Sequence, residues 1–305
     1  MIRIGFIGRT KMLFDTINIF RELEEFEISF IWTCKDEEYY QFGVKKFEKI
    51  AEKIKCQYIY SPNILKYIDS VEADIVISVN FINLIPKKFI NKFKFGVLNA
   101  HAGDLPKYRG NACPNWAIIN GEKFITLSIH LMDANLDCGP IVLKKKFNLT
   151  KHTYISEIYE WLQIIIPKSF LKAVKALMKG GSTNKQKGRV LRSFPRKPED
   201  SRLDFCKDLE WNYRLIRASS RPFSGAYAFL NNSNNKVTIF KAQPDKVKYD
   251  FCAVSGQIIE KAGEEYSFLI SIGKEVLRIT DYSINGCSKK DSFKIVCRSL
   301  RNRLT

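Results

Sequence analysis

The chain is 305 residues long and 45% hydrophobic, enough to bury one large core and a second, smaller one. Its 50 Lys and Arg against 32 Asp and Glu give a formal charge of +18, which admits nucleic acid or a polyphosphate as a partner. No apolar run approaches the ~20 residues of a membrane-spanning helix, and the eight cysteines form neither a Cys-x-x-Cys pair nor a Cys/His cluster at zinc spacing.

The cysteine pattern reads as reduced thiols in a cytoplasmic enzyme without a bound metal. The segment Met1–Gly8 is too short and too strand-like for a signal peptide. The positive charge is dispersed. Residues 181–305 hold 24 basic and 13 acidic side chains, a balance of +11, and the first 180 residues carry the other +7. Such dispersion is explained as well by a lysine-rich composition as by RNA binding.

Ile2–Ile7 is a short apolar run ending at Gly8, suited to a buried parallel strand. Met12–Leu23 has apolar residues at helical spacing, Glu27–Thr33 reads as a strand, and Tyr39–Ile54 reads as a helix. Ala73–Val79 and Phe95–Asn99 are two more buried strands, separated by an Ile85-Pro86 break and a short helical stretch. This alternation predicts an α/β domain with a doubly wound, mostly parallel, Rossmann-like sheet. Ligands bind such sheets beyond the carboxyl ends of the strands, where Asn99 and His101 fall. The first loop, Gly5–Lys11, lacks G-x-G-x-x-G, so a dinucleotide cofactor is not supported.

Thr126–Leu131 and Pro140–Phe147 read as strands flanking a loop that carries Asp137. A helix over Tyr154–Lys179 follows, with Trp161, Leu162, Ile165 and Ile166 on its apolar side. Gly180–Gly188 is a polar break and the best candidate linker. Beyond it come a helix at Leu209–Ser219 and five short β segments: Ala226–Leu230, Lys236–Lys241, Gly256–Lys261, Tyr266–Ile272 and Glu275–Ile279. They predict a small β-barrel-like (OB-like) domain. The expected division is a catalytic domain at 1–180, a linker at 181–202 and a small barrel at 203–305.

Asn99 and His101, two apart on an extended segment, project to the same side. An asparagine amide can donate to the oxygen of a tetrahedral intermediate. A histidine can take a proton from an attacking amine or, when charged, stabilise that oxygen. A neighbouring carboxylate fixes the ring tautomer and favours the imidazolium. Asp137 is the candidate for that carboxylate, with Asp133 its rival. No G-x-S-x-G occurs, and neither Cys113 nor Cys138 has a histidine neighbour in sequence. The set suits direct acyl transfer to an amine better than a covalent acyl-enzyme. His130 reads as structural, and His152 as a cap or surface residue.

Asn99-x-His101, Leu105-Pro106-x-x-Arg109-Gly110 and Leu136-Asp137-Cys138-Gly139 together resemble the signature of the folate-dependent formyltransferase family. The resemblance implies N10-formyltetrahydrofolate as formyl donor and Asn99, His101 and Asp137 as the catalytic trio. It implies a pterin site near Ser78, Asn80, Phe81, Leu84 and Ile85 and near Met132 and Asp133. Asn115-Trp116, Phe194–Asp200 and Arg221–Ala226 resemble the nucleotide-sugar branch. That branch formylates an amino sugar carried on dTDP or UDP, for surface polysaccharide synthesis. In this reading the neutral sugar amine attacks the formyl carbon. Asn99 and His101 stabilise the oxyanion, and Asp137 supports His101 and helps relay the proton.

Arg9, Lys11, Lys107 and Arg109 are candidates to neutralise the diphosphate, and Tyr108, Asn115 and Trp116 to line the acceptor site. The alternative acceptor is methionyl-tRNA, which the basic C-terminal third would suit. The family also implies a homodimer. One departure is Gly103-Asp104 after the histidine, where many members have Ser-Leu; the extra carboxylate either meets a substrate ammonium or faces solvent.

Overall fold

The computed structural model describes residues 1–35, 42–262 and 265–305. They form two compact units. The first comprises Met1–Cys113, Phe124–Asn148 and Tyr159–Phe194; the second comprises Pro114–Lys123, Leu149–Ile158 and Pro195–Thr305.

The elements run β1 (Ile2–Gly8), α1 (Thr10–Phe20), β2 (Phe26–Thr33), α2 (Lys45–Ile54), β3 (Gln57–Tyr60), α3 (Ile64–Tyr67), β4 (Ile75–Val79), α4 (Lys87–Ile90) and β5 (Val97–His101). Then come β6 (Arg109–Gly110), α5 (Cys113–Ile119), β7 (Phe124–Leu131), β8 (Ile141–Asn148), α6 (Ile155–Met178) and β9 (Arg192–Ser193). The helix expected at Tyr39–Ile54 is α2, and residues 39–41 of that expectation lie outside the described residues.

The first unit is built on a seven-stranded sheet of order β3-β2-β1-β4-β5-β7-β8. Strands β1 to β5 are parallel, and β7 and β8 add an antiparallel flank. The central strands are buried throughout, which is why β4 reads as the unbroken run Ile75-Val-Ile-Ser-Val79. Helix α1 turns Met12, Leu13, Thr16, Ile17 and Phe20 inward, a stripe at i, i+4 spacing. Phe20 meets Phe6 edge-on at 5.7 Å, and on β2 Trp32 is bracketed by Phe89 and Tyr67 at 5.9 and 5.8 Å. Each such buried aromatic contributes roughly 1.5–3 kcal/mol.

The strand order reverses between β1 and β4, the kind of switch point beyond whose carboxyl strand ends open α/β sheets take their ligands. Strand β5 runs two residues further than the apolar pattern suggested and ends at His101, not Asn99. The cause is its antiparallel partner, since β7 sets His130 opposite Asn99 and Ser128 opposite His101. Both candidate side chains therefore stand on a strand, which fixes them more firmly than a loop would.

The second unit contains α7 (Leu209–Ser219), β10 (Ala226–Phe229), β11 (Lys236–Asp245), β12 (Ile258–Ala262), β13 (Ser267–Ile272), β14 (Glu275–Ile284) and α8 (Lys289–Val296). Asp208 caps α7 by accepting from Trp211 N at 2.7 Å, worth about 1 kcal/mol. The five strands form an antiparallel sheet of order β10-β11-β14-β13-β12. Its two edge strands do not pair with each other. The final residues bridge them: Thr305 exchanges backbone hydrogen bonds with Phe229, and Leu304 N donates to Gly256 O at 2.8 Å. This closing segment lies outside the five β segments expected from sequence.

Segment 181–202, expected as a linker, is tied down within the first unit up to Phe194. Asn184 exchanges backbone bonds with Ile141, and β9 pairs in parallel with β6.

Candidate active site

Asn99, His101 and Asp137 converge in the first unit. Asp137 sits in the loop between β7 and β8 with φ +52°, a left-handed conformation that Asp tolerates better than most residues. Its buried carboxylate faces His101 Nδ1 at 3.5 Å and His130 Nε2 at 3.6 Å, and accepts from Gly110 N at 2.9 Å. Gly110 has φ +112°, and a Cβ there would lie 2.1 Å from Ser193 O, so only glycine lets the strand end pass between β9 and the carboxylate.

The ring nitrogens can be assigned from their partners. His101 Nε2 lies 2.6 Å from Tyr108 O, and a carbonyl only accepts, so Nε2 carries a proton and donates. His130 Nδ1 donates to Leu131 O at 2.9 Å in the same way. That leaves His130 Nε2 to accept from Asn99 Nδ2 at 3.3 Å, which fixes the orientation of the Asn99 amide. The second N–H of that amide stays available for an oxyanion, on a side chain that is only partly buried.

Burial works to lower the His101 pKa. The nearby Cys113 sulfur, the Asp137 carboxylate and the Tyr108 carbonyl outweigh it and raise the pKa from 6.5 to about 9. Cys113 Sγ is 3.6 Å from His101 Nε2 and donates to Tyr108 O at 3.2 Å, so it brings a thiol dipole rather than a charge. Asp137 brings the full negative charge beside the ring and acts together with the Cys113 sulfur and the Tyr108 carbonyl. Burial works to raise the Asp137 pKa, but the neighbouring His130 and His101 rings and the Gly110 N–H hold it below the usual carboxylate value. At neutral pH the site holds a buried imidazolium–carboxylate pair.

Two partners of this pair were not read from the sequence as functional. His130 reads as structural in the sequence, yet its register places it opposite Asn99 and against Asp137. The polar alternation Thr126, Ser128, His130 along β7 is the signal that marked one face of that strand as facing the site. Cys113 has no histidine beside it in sequence, but the turn after β6 returns it to His101.

Of the residues expected near a pterin, Ser78 is buried in β4 directly opposite Asn99. Phe81 and Met132 are partly buried against one apolar cluster, together with buried Ile85. Leu84 stands 76% exposed, Ile82 49% and Leu136 40%, so the loops after β4 and β7 present apolar side chains to solvent. Asn80, at φ +52°, offers its carbonyl to Arg9 Nε at 2.9 Å, and Asp133 is exposed and accepts from Ala134 N.

Among the residues expected at the acceptor, Arg9 is buried and also donates to Lys35 O, and Lys11 pairs with Asp15 along α1. Lys107 lies over the Tyr108 ring, Tyr108 itself is buried, and Arg109 donates twice to Gln186 Oε1. Asp104 is partly exposed and pairs with Lys144 on β8 at 2.7 Å. Asn115 and Trp116 belong to the second unit. There Asn115 Nδ2 donates to Ala218 O at 2.7 Å, and the Arg196 guanidinium lies 5.7 Å from the Trp116 ring. Among the described residues no cluster of His, Cys, Asp or Glu suits a metal, and no helix is long and apolar enough to cross a membrane.

The chain matches the formyl transferase family over residues 34–174 and the formyl transferase C-terminal domain over 196–297. It is 30% identical to a methionyl-tRNA formyltransferase of Thermodesulfovibrio yellowstonii, a match that spans 57% of each chain. It is 25% identical to the bifunctional polymyxin resistance protein ArnA of Wigglesworthia glossinidia brevipalpis over 93% of its own length and 42% of that protein. In three dimensions it resembles an N-formyltransferase from Helicobacter canadensis, solved with folinic acid and dTDP-3-aminofucose. The TM-score is 0.68 at 17% identity, over 92% of this chain and 99% of the other. With the trio in place and both domains matched, the chain belongs to the folate-dependent formyltransferase family.

Proposed function

We propose that this protein moves a formyl group from N10-formyltetrahydrofolate to the amine of a nucleotide-linked amino sugar. The observation that carries the chemistry is the buried His101–Asp137 pair beside an oriented Asn99 amide. The neutral amine attacks the formyl carbon and forms the new C–N bond. Negative charge builds on the formyl oxygen, where the Asn99 N–H and the charged imidazole stabilise it. The bond to folate N10 then breaks, the amine loses a proton and N10 gains one. Both His101 nitrogens are committed, one to Tyr108 O and one to Asp137. This supports a fixed positive charge at His101 more than a mobile proton carrier, and Asp137 acts by keeping that charge in place.

The sugar acceptor is supported by the likeness to the N-formyltransferase solved with dTDP-3-aminofucose and by the sequence around Asn115 and Trp116. Methionyl-tRNA is the second reading, favoured by the +11 balance of residues 181–305 and by relatives such as that of Thermodesulfovibrio yellowstonii. Formyl-folate supplied with a panel of dTDP- and UDP-amino sugars, and separately with charged initiator tRNA, decides between them. Formylation of a sugar nucleotide is the expected result. A formyl mass gain on tRNA-bound methionine alone would overturn the sugar assignment.

A further inference from the structure

Gln186 lies in a segment whose neighbours, from Lys187 to Val190, are exposed, yet it is itself partly buried. Its Nε2 donates to Asp137 O at 2.7 Å and to Gly139 O at 2.8 Å. Its Oε1 accepts from Arg109 Nε at 3.1 Å and Nη2 at 2.7 Å. All four hydrogen-bonding positions of the amide are used, and a flipped amide would set an oxygen against two carbonyls and an NH2 against a guanidinium. The backbone around it is anchored at Asn184 on one side and at β9 on the other.

We propose that Gln186 is a positioning residue that sets the Asp137 loop against His101, so that the strap after α6 completes the active site. Asp137 is held in a left-handed conformation, which for a non-glycine residue needs support from its surroundings. Gln186 bonds the carbonyl of that residue and the carbonyl two residues on. The carboxylate that faces His101 is thereby fixed from behind. The inference rests on the reading of Asp137 and His101 as catalytic partners, but its test needs neither folate nor acceptor.

The groups facing His101 are Asp137 from the loop, His130 from β7, Cys113 from α5 and the Tyr108 carbonyl. Gln186 holds the Asp137 loop through its Nε2 and the Tyr108–Gly110 segment through Arg109. The His101 ring is therefore titrated by NMR in the wild type, Gln186→Met and Gln186→Glu, with only three histidines to assign. Gln186→Met keeps the length of the side chain and loses both contacts. Gln186→Glu keeps the Arg109 contact but turns an oxygen toward Asp137 O and Gly139 O. We expect the His101 titration to fall by about one pH unit or more in both. An unchanged titration in both overturns the proposal. A fall in Gln186→Met alone assigns the effect to Arg109 and overturns it equally. If Gln186→Met does not fold, Gln186→Glu carries the test.

Discussion

Replacing Asp137 by Asn keeps the shape of the side chain and removes its charge. At 3.5 Å an imidazolium and a carboxylate attract by about 5 kcal/mol at an effective dielectric of about 20. The rise of the His101 pKa from 6.5 to about 9 corresponds to roughly 3 kcal/mol of net preference for the charged ring. Without the carboxylate the ring loses one of the groups that offset burial, so its pKa falls. A group whose folded pKa is raised stabilises the fold fully below its unfolded pKa, and that stability is lost as pH rises through about 9. The assay is urea unfolding of wild type and Asp137→Asn from about pH 6 to about pH 10. The stability gap between them should narrow across that window, by up to about 3 kcal/mol. A constant gap would mean that His101 does not draw its charge from Asp137, and would refute the reasoning.

His130→Leu removes the acceptor that orients the Asn99 amide, and steady-state kinetics should show kcat lowered about 10- to 100-fold with KM little changed. Asp104→Asn breaks a half-exposed pair with Lys144, so kcat/KM should stay within about threefold of wild type and stability should drop by no more than about 1 kcal/mol. Leu304 is fully buried where the final segment closes the small sheet. Leu304→Ala should destabilise the second unit by about 2–5 kcal/mol, read by thermal or urea unfolding of that unit, while the His101 titration stays as in wild type.

The parallel sheet was legible because its strands are buried on both faces, and continuous apolar runs such as Ile75–Val79 cannot serve as anything exposed. The trio was legible because its residues recur in fixed local spacing beside Gly and Pro. Gln186 had no such signal: one polar residue in a polar stretch, it is defined by carbonyls and a guanidinium 47 to 77 residues away. Cys113 likewise has no histidine neighbour along the chain and meets His101 only because the turn after β6 folds back.

Sequence alone determined the fold class, the family signature and the candidate amide, imidazole and carboxylate, since local pattern and residue type suffice for those. Tertiary structure alone decided how the three are held. The antiparallel pairing of β5 with β7 brought His130 to Asn99, and the strap after α6 brought Gln186 behind Asp137. Asp104, which residue type left open, was drawn to Lys144 by the register of β7 and β8. These are contacts between segments distant in sequence, and only packing sets them.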